Sequence, residues 1–336
     1  MDLRRHLSIR RLTACAAALA VLLAVATAPQ LLGPRVAEAV DSLGAASATW
    51  LWWSGASFVA ALVFAAFGWR AAVGLCGARL TGADACARYG VGSLVNSVTP
   101  ARIGDIVRIA LFSRALPGSE RLWSTGGACA IVGASRVLAL GILVAVASAV
   151  GALPLWPVVL AGAAVAVAAA VAFVARRTRL TGRAAHILDA FRELGRRPAA
   201  SVPLIGWILL ATAARVGAAA ASAAALGVDK PLHAALLIVP ALDLAGLFPL
   251  TPGNVGLTSG AVAIALQGVG VDLTTALAVG IALHAVETLA GIGFGLASAL
   301  WLATGALEGR RGLVLRLAGG AAAFGVAAVS GATTLV

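Results

Sequence analysis

The sequence predicts an all-α, polytopic integral membrane protein. Of its 336 residues, 61% are hydrophobic and only 11% are charged, whereas about a quarter of the residues in a soluble domain are charged. The mean hydropathy is +1.00. Apolar runs of about 20 residues, the length that crosses a bilayer as a helix, recur along the chain. These observations exclude a soluble globular protein and a disordered one, and they predict a single transmembrane domain over residues 1–336.

Seven apolar runs are long enough to form complete transmembrane helices. They cover residues 12–32, 45–67, 124–150, 155–175, 202–226, 273–301 and 317–336. The first run follows basic residues and contains Ala26-Thr27-Ala28, as a secretory signal peptide does. Because the run continues to Leu32 and a proline follows Ala28, we expect it to be retained as the first span.

The arginines are concentrated on one side of the predicted helices. Four blocks, residues 4–11, 70–121, 176–197 and 310–316, contain 21 of the 24 arginines. Cytoplasmic loops of membrane proteins are enriched in arginine and lysine. The pattern therefore predicts a multi-pass protein of the cytoplasmic (cell) membrane, with its N-terminus inside and its C-terminus outside. The net charge of +12 is then a topology signal, and we expect the bilayer, and no nucleic acid, as the partner of these charges.

Two further apolar regions, residues 83–116 and 232–268, are interrupted near their centres by the motif Thr-Pro-x-x-x-Gly. The motif residues are Thr99, Pro100 and Gly104 in the first region and Thr251, Pro252 and Gly256 in the second. Proline disfavours helix at the residue before it, and glycine adopts backbone that other residues cannot. Non-helical backbone inside a membrane is tolerated only where protein or water satisfies its polar groups. The breaks therefore predict two re-entrant hairpins, which the flanking charges place on opposite faces.

The order of these segments predicts an inverted repeat. In residues 45–175 a full span precedes the first hairpin and two spans follow it. Residues 202–336 repeat this order with the opposite orientation, and residues 176–200 form an amphipathic cytoplasmic linker between the halves. Inverted repeats with broken helices near the membrane centre are typical of transporters.

The stretches NSVTPARIGDIVR and PLTPGNVG resemble the flippase-like membrane family that includes the transmembrane region of lysylphosphatidylglycerol synthases. The resemblance covers residues 45–301. Where the family has Gly-Glu in the first hairpin, this chain has Gly104 and Asp105; Asn254 and Ser259 stand where the family has Gly-Gly and a later Glu in the second. The resemblance implies lipid translocation without lipid synthesis, because the aminoacyl-transferring domain is not expected in this chain.

Four charged residues lie near the middle of apolar runs, and a histidine lies beside one of them. They are Arg136, Arg215, Asp243 and Glu287, with His284 on the same helix face as Glu287. A charged side chain at the centre of a membrane helix costs about 2.5–3.5 kcal/mol. Such residues either form structural ion pairs or belong to a functional site, and the sequence leaves both interpretations open.

The functional interpretation assigns these charges to an anionic lipid. Guanidinium groups bind phosphate through paired hydrogen bonds, so Arg136 and Arg215 are predicted to contact a lipid phosphate in a central cavity. We expect Arg102 and Arg108 to capture the head group from the cytoplasmic leaflet and Asp105 to orient Arg108. The list of candidate binding residues is completed by Asn96 and Asn254, and that of candidate proton-coupling residues is His284, Glu287 and Asp243.

The predicted function is therefore translocation of an anionic phospholipid or lipid-linked precursor, without enzymatic activity, cofactor or metal. A homo-oligomer is compatible with the sequence. The alternative is a polytopic glycosyltransferase that uses a polyprenyl-phosphate sugar donor, for which Glu38 and Asp41 would supply the required early external carboxylate. The loop that carries them is short, and the sequence shows no positioned neighbours for a catalytic base.

Overall fold

The computed structural model describes residues 34–99, 103–177, 191–194, 196, 198–246 and 255–304. Within these residues the regular structure is entirely helical. The helices are α1 (Pro34–Ser42), α2 (Ala48–Leu75), α3 (Gly82–Val98), α4 (Ile103–Ser113), α5 (Arg121–Ala149), α6 (Trp156–Arg177), α7 (Pro198–Ala225), α8 (Pro231–Ala245), α9 (Val255–Gln267) and α10 (Leu273–Thr304). The all-α prediction is therefore confirmed for this part of the chain.

Four helices are long and apolar enough to cross a membrane: Ala48–Leu75, Arg121–Ala149, Ser201–Ala225 and Leu273–Ala303. They correspond to four of the seven predicted spans. The run at 155–175 forms α6, whose apolar part Trp156–Val167 is shorter. The runs at 12–32 and 317–336 lie outside the described residues, as does most of the predicted linker at 176–200.

Helix α2 continues eight residues beyond the predicted end at Phe67. The prediction stopped before Arg70, but a charged residue near the end of a span does not end the helix. The Arg70 guanidinium lies 5.8 Å from the centre of the Phe67 ring and its Nε donates to the Leu80 carbonyl at 2.7 Å. Its long side chain can therefore reach the end of the span while its aliphatic part stays among apolar groups.

The core is built on the contact between α2 and α7, which pack along their lengths. The Phe67 and Trp207 rings stack with centroids 4.9 Å apart, and Gly68 leaves room for Ile208. One buried cluster surrounds this contact and extends to α3, α4 and α5. A second cluster joins α7 to α8, α9 and α10, so each broken region has its own packed surroundings.

Helices α3 and α10 cross at very short range because small residues line the crossing. A Cβ atom at Gly90 would overlap the Ser298 hydroxyl, and one at Gly295 would overlap Leu94. Small residues bring membrane helices into this kind of contact. Beyond the crossing, the Trp301 indole Nε1 donates to Asp84 Oδ1 at 3.3 Å. The first broken region is thus held directly against the last described helix.

Three helices end at one side of the molecule in left-handed glycine turns. These glycines are Gly151, Gly227 and Gly270, with φ of 76°, 74° and 86°. Only glycine adopts this backbone without strain. The turns line a cavity of about 620 Å³ together with Lys230 and Asp272, and we call this side the Lys230 face.

The outer surface of the bundle is apolar, as expected of helices that contact lipid. On α6, which packs chiefly against α5, more than 60% of the surface of Val159, Leu160 and Val167 is exposed. Tryptophans are exposed at the start of α2 and at Trp156. Because Ser47, at the start of α2, donates its backbone N–H to the Ala225 carbonyl, these tryptophans lie at the Lys230 face. Such aromatic belts mark the boundary between membrane and water.

Candidate functional site

The first predicted break separates α3 from α4. Helix α3 ends at Val98, and Thr99 has the extended backbone (φ −121°, ψ 146°) that a following proline favours. At about 25 and 16 Å, the two arms are shorter than the roughly 30 Å apolar thickness of a bilayer. Pro100 and Arg102 lie outside the described residues. We call α3 and α4 together hairpin one.

The arms of hairpin one touch at Gly104, the glycine of the motif. A Cβ atom there would overlap the carbonyl oxygen of Gly92 and the Asn96 side chain. The glycine is therefore required by the close approach of the two arms, because its backbone conformation is an ordinary helical one.

A polar network fills the space between these arms. Arg108 Nη1 lies 2.6 Å from Asp105 Oδ1, and Asn96 Nδ2 donates to the same oxygen at 3.2 Å. Arg108 Nη2 donates to Ser93 Oγ at 3.3 Å. Only 6% of the Arg108 side chain is exposed. Three of the predicted binding residues, Asn96, Asp105 and Arg108, are thus brought together, and they contact one another inside the hairpin.

Two buried polar atoms of this network have no hydrogen-bond partner among the described residues. They are Arg108 Nε and Asn96 Oδ1. A buried polar group without a partner destabilises the fold by about 1–3 kcal/mol. Both atoms lie beside the Gly92–Gly104 contact, so the shortest approach of the two arms coincides with unsatisfied polar groups.

Tyr89 links hairpin one to the arginine of α5, and the sequence reasoning missed it. The Arg108 guanidinium lies 4.0 Å from the centre of its ring, and Arg136 Nη2 donates to its hydroxyl at 3.3 Å. Tyr89 also lies near Arg215. It is the single tyrosine of the chain, and one aromatic hydroxyl in a helix of small residues was the signal that could have identified it.

Arg136 itself is exposed although it lies near the middle of α5. Its recorded contact is the Tyr89 hydroxyl. Among the ion pairs of the described residues, none includes Arg136. A cation without a counter-charge at this depth must face water or an anion.

A second ion pair joins α7 to α8. Arg215 Nη1 lies 2.7 Å from Asp243 Oδ1, and 30% and 32% of the two side chains are exposed. Both residues occur in the middle of apolar helices, and about a third of each side chain is exposed. Glu287 of α10 interacts electrostatically with both. Three of the four central charges predicted from the sequence therefore come together, and the fourth, Arg136, is connected to them through Tyr89.

The second predicted break lies between α8 and α9, which we call hairpin two. Gly246 caps α8 and α9 begins at Val255; Thr251, Pro252 and Asn254 lie outside the described residues. Gly256 is exposed, and a Cβ atom added to it would meet nothing within 4 Å. Unlike Gly104, it is not required by a close contact of the described residues.

His284, on α10, contacts both hairpin two and the next turn of its own helix. Its Nδ1 is 3.4 Å from Thr258 Oγ1, and its Nε2 is 3.4 Å from Thr288 Oγ1. Its recorded hydrogen bonds are therefore with threonines, and none is with Glu287. Of the two residues predicted to act as a pair, Glu287 faces the charged cluster and His284 faces α9.

No three His, Cys, Asp or Glu side chains of the described residues are grouped so that they could hold a metal ion. Cys76, Cys86 and Cys129 are free thiols within this part of the chain.

Comparison with protein families gave one match of broad coverage. A family model described as "Lysylphosphatidylglycerol synthase TM region" matches residues 12–295, which include both hairpins, three of the four candidate spans and most of the fourth. Comparison with curated proteins gave no significant match.

Proposed function

The chain belongs to the family of the lysylphosphatidylglycerol synthase transmembrane region, as its two hairpin motifs predicted, and from this premise we propose that it translocates an anionic lipid. The family indicates a lipid-related function in a membrane. The substrate in this proposal is an anionic phospholipid or a lipid-linked precursor, and the membrane is the cytoplasmic one. The positive-inside distribution of arginine favours an N-terminus on the cytoplasmic side.

Arg136 is the observation that carries the proposal. It is exposed near the middle of a membrane-length helix and has no carboxylate partner among the described residues. A lipid phosphate would supply the missing negative charge through hydrogen bonds to the guanidinium. Arg215, of which 30% is exposed, would provide a second contact. Arg108 is enclosed by its own hairpin, so its role in the proposal is to hold Tyr89 and with it the position of Arg136.

The order of the helices supports a transport mechanism based on alternating access. The α2–α7 contact joins the first long helix of each half, and each half contains a broken region with the same motif. An inverted repeat of this kind allows one half to rock against the other around a fixed central site. In the proposed mechanism the Arg136–Tyr89–Arg215 cluster is that site.

Lipid exchange in proteoliposomes tests the proposal. The wild-type protein is reconstituted with trace amounts of fluorescent anionic lipids, and accessibility to an external quencher reports movement between leaflets. We expect Arg136→Ala to reduce exchange by about 10- to 100-fold, the value of a charge-assisted hydrogen bond to phosphate. Arg121→Ala, at the start of the same helix, is the matched control and should exchange lipid like the wild type.

Two outcomes contradict the proposal. If Arg136→Ala exchanges lipid at the wild-type rate, Arg136 is not a phosphate ligand. If the wild-type protein exchanges none of the lipids but transfers sugar from a polyprenyl-phosphate donor, the protein is the glycosyltransferase of the alternative hypothesis.

A further inference from the structure

Six charged side chains lie in two groups, one around Tyr89 and one between α7, α8 and α10. The cations are Arg108, Arg136 and Arg215, and the anions are Asp105, Asp243 and Glu287. With all six ionised, the charges of this group cancel. A cluster with no net charge is expected inside a membrane, because each uncompensated charge there is costly.

The six charges are not all paired with one another. Asp105 is bound to Arg108, and Asp243 is bound to Arg215. Among the described residues, Arg136 and Glu287 remain without an ion-pair partner. They are connected only indirectly, because Glu287 lies near Arg215, Arg215 lies near Tyr89, and the Tyr89 hydroxyl accepts from Arg136.

A phosphate bound to Arg136 would change the net charge of this group from zero to −1. The lipid anion would neutralise Arg136, and the Glu287 carboxylate would then be the uncompensated charge among the six. Arg215 could not compensate it fully, because its Nη1 already binds Asp243 at 2.7 Å. Protonation of one carboxylate restores neutrality, and Glu287 is the carboxylate without a bound cation.

Resting on the proposed function, we infer that each anionic lipid crosses the membrane together with one proton carried by Glu287. The proton comes from water on the side where the lipid enters, forms an O–H bond with a carboxylate oxygen of Glu287, and returns to water on the side where the lipid leaves. No bond of the lipid is made or broken. The transported charge is zero, because one negative lipid and one proton move in the same direction.

The surroundings of Glu287 support its role as the residue that carries the proton. Arg215 from α7 and Asp243 from α8 are the charged groups that act on it, and His284 lies three residues earlier on α10 but bonds to threonines. Helix α9 contributes no titratable side chain. Among the side chains that the structure describes, the remaining helices packed against α10 carry Glu38, Asp41, Arg70, Asp84, Cys86, Arg88 and Tyr89, and none of these acts on Glu287.

The distribution of lipid at equilibrium tests the inference. Full-length protein is reconstituted in vesicles with trace fluorescent phosphatidylglycerol, a monoanion, and either a pH difference or a potassium-valinomycin potential is imposed. For the wild type we expect a tenfold accumulation per pH unit in the leaflet that faces the more alkaline side. We expect no change with the potential.

Glu287→Gln should reverse this behaviour. The amide cannot take up a proton, so lipid would move as a single negative charge. The ratio of lipid between the two leaflets should then change by about 50-fold per 100 mV and should not depend on the pH difference. Glu120→Gln, which makes the same chemical change before α5 and outside the cluster, should behave like the wild type.

The outcomes separate the inference from the proposed function. Wild-type exchange that follows the potential and not the pH difference overturns the inference and leaves lipid translocation intact. Absence of any wild-type phosphatidylglycerol exchange overturns the proposed function for this lipid and the inference with it. The wild-type measurement decides the question even if Glu287→Gln does not fold.

Discussion

The two hairpins contain the same motif and use it differently. In hairpin one, Gly104 is buried against Gly92, and the arms enclose Arg108, which binds Asp105. In hairpin two, Gly256 is open, and Asp243 leaves the hairpin to bind Arg215 on α7. One charged pair therefore lies within a hairpin, whereas the other connects a hairpin to α7. A shared motif locates two breaks in the chain, but the packing around each break decides what its charges do.

The largest expected difference between the hairpins concerns these charged pairs. Arg108→Ala removes a guanidinium group of which only 6% is exposed, together with its bonds to Asp105 and Ser93 and its contact with the Tyr89 ring. We therefore expect a loss of about 1.5–3 kcal/mol in the free energy of unfolding. Arg215→Ala removes a guanidinium group of which 30% is exposed, and we expect a clearly smaller loss. Denaturation in detergent, followed by tryptophan fluorescence, measures both. Equal losses would show that the two guanidinium groups contribute equally despite their different exposure.

The motif glycines provide a second contrast. Gly104→Ala places a methyl group on the backbone carbonyl of Gly92, which cannot move aside as the end of a flexible side chain can. We expect a loss of about 1–3 kcal/mol. Gly256→Ala meets nothing within 4 Å and should be close to neutral. The midpoint of thermal unfolding reports both, and a large effect of Gly256→Ala would mean that the glycine has a close neighbour beyond the described residues.

The smallest expected effects concern the residues that cap α3, the first arm of hairpin one, and α10, the helix that follows hairpin two. Thr81 Oγ1 accepts from the Asp84 backbone N–H at 3.1 Å at the start of α3, and Asp272 Oδ1 accepts from the Thr275 N–H at 2.9 Å at the start of α10. Replacing either by alanine should cost about 0.5–2 kcal/mol. Calorimetry of the two variants measures this loss.

The pH dependence of the two stability losses should distinguish the Thr81 cap from the Asp272 cap. Hydrogen bonds from Thr275 lower the pKa of Asp272 below its ordinary value. A lowered folded-state pKa stabilises the protein above the ordinary pKa of about 4, and this contribution is lost as the pH falls through the lowered value. The cost of Asp272→Ala should therefore shrink in acid. The cost of Thr81→Ala should change less, and a parallel decline would refute the assignment to the Asp272 carboxylate.

The sequence predicted the features that depend on local chemistry. Four spans follow from apolar runs, and the end of α3 at Thr99 follows from the proline after it. The central position of Arg215, Asp243 and Glu287 follows from the cost of burying charge, which requires such residues to meet in the interior. The inverted repeat and the re-entrant form of the hairpins remain predictions.

The features that sequence reasoning missed depend on contacts between distant segments. In the sequence, Tyr89 is one residue of an apolar arm. Its importance depends on Arg108, which lies over its ring, and on Arg136, which donates to its hydroxyl. The different roles of Gly104 and Gly256 could not be predicted either, because the motif gives both the same neighbours along the chain. Arg108 was expected to face the lipid head group, and its enclosure depends on how the two arms of hairpin one meet.

The crossing of α3 and α10 has a consequence for how the chain is made. The Ser298 hydroxyl reaches the Cys86 carbonyl across 212 positions of sequence, and at about 5–20 residues per second a ribosome needs roughly 10–40 s to synthesise that interval. During this time hairpin one has entered the bilayer without the helix that covers its glycine surface. Insertion of α10 is therefore the event that completes hairpin one, and a nascent chain stopped before Ser298 should leave α3 open to chaperones and membrane proteases.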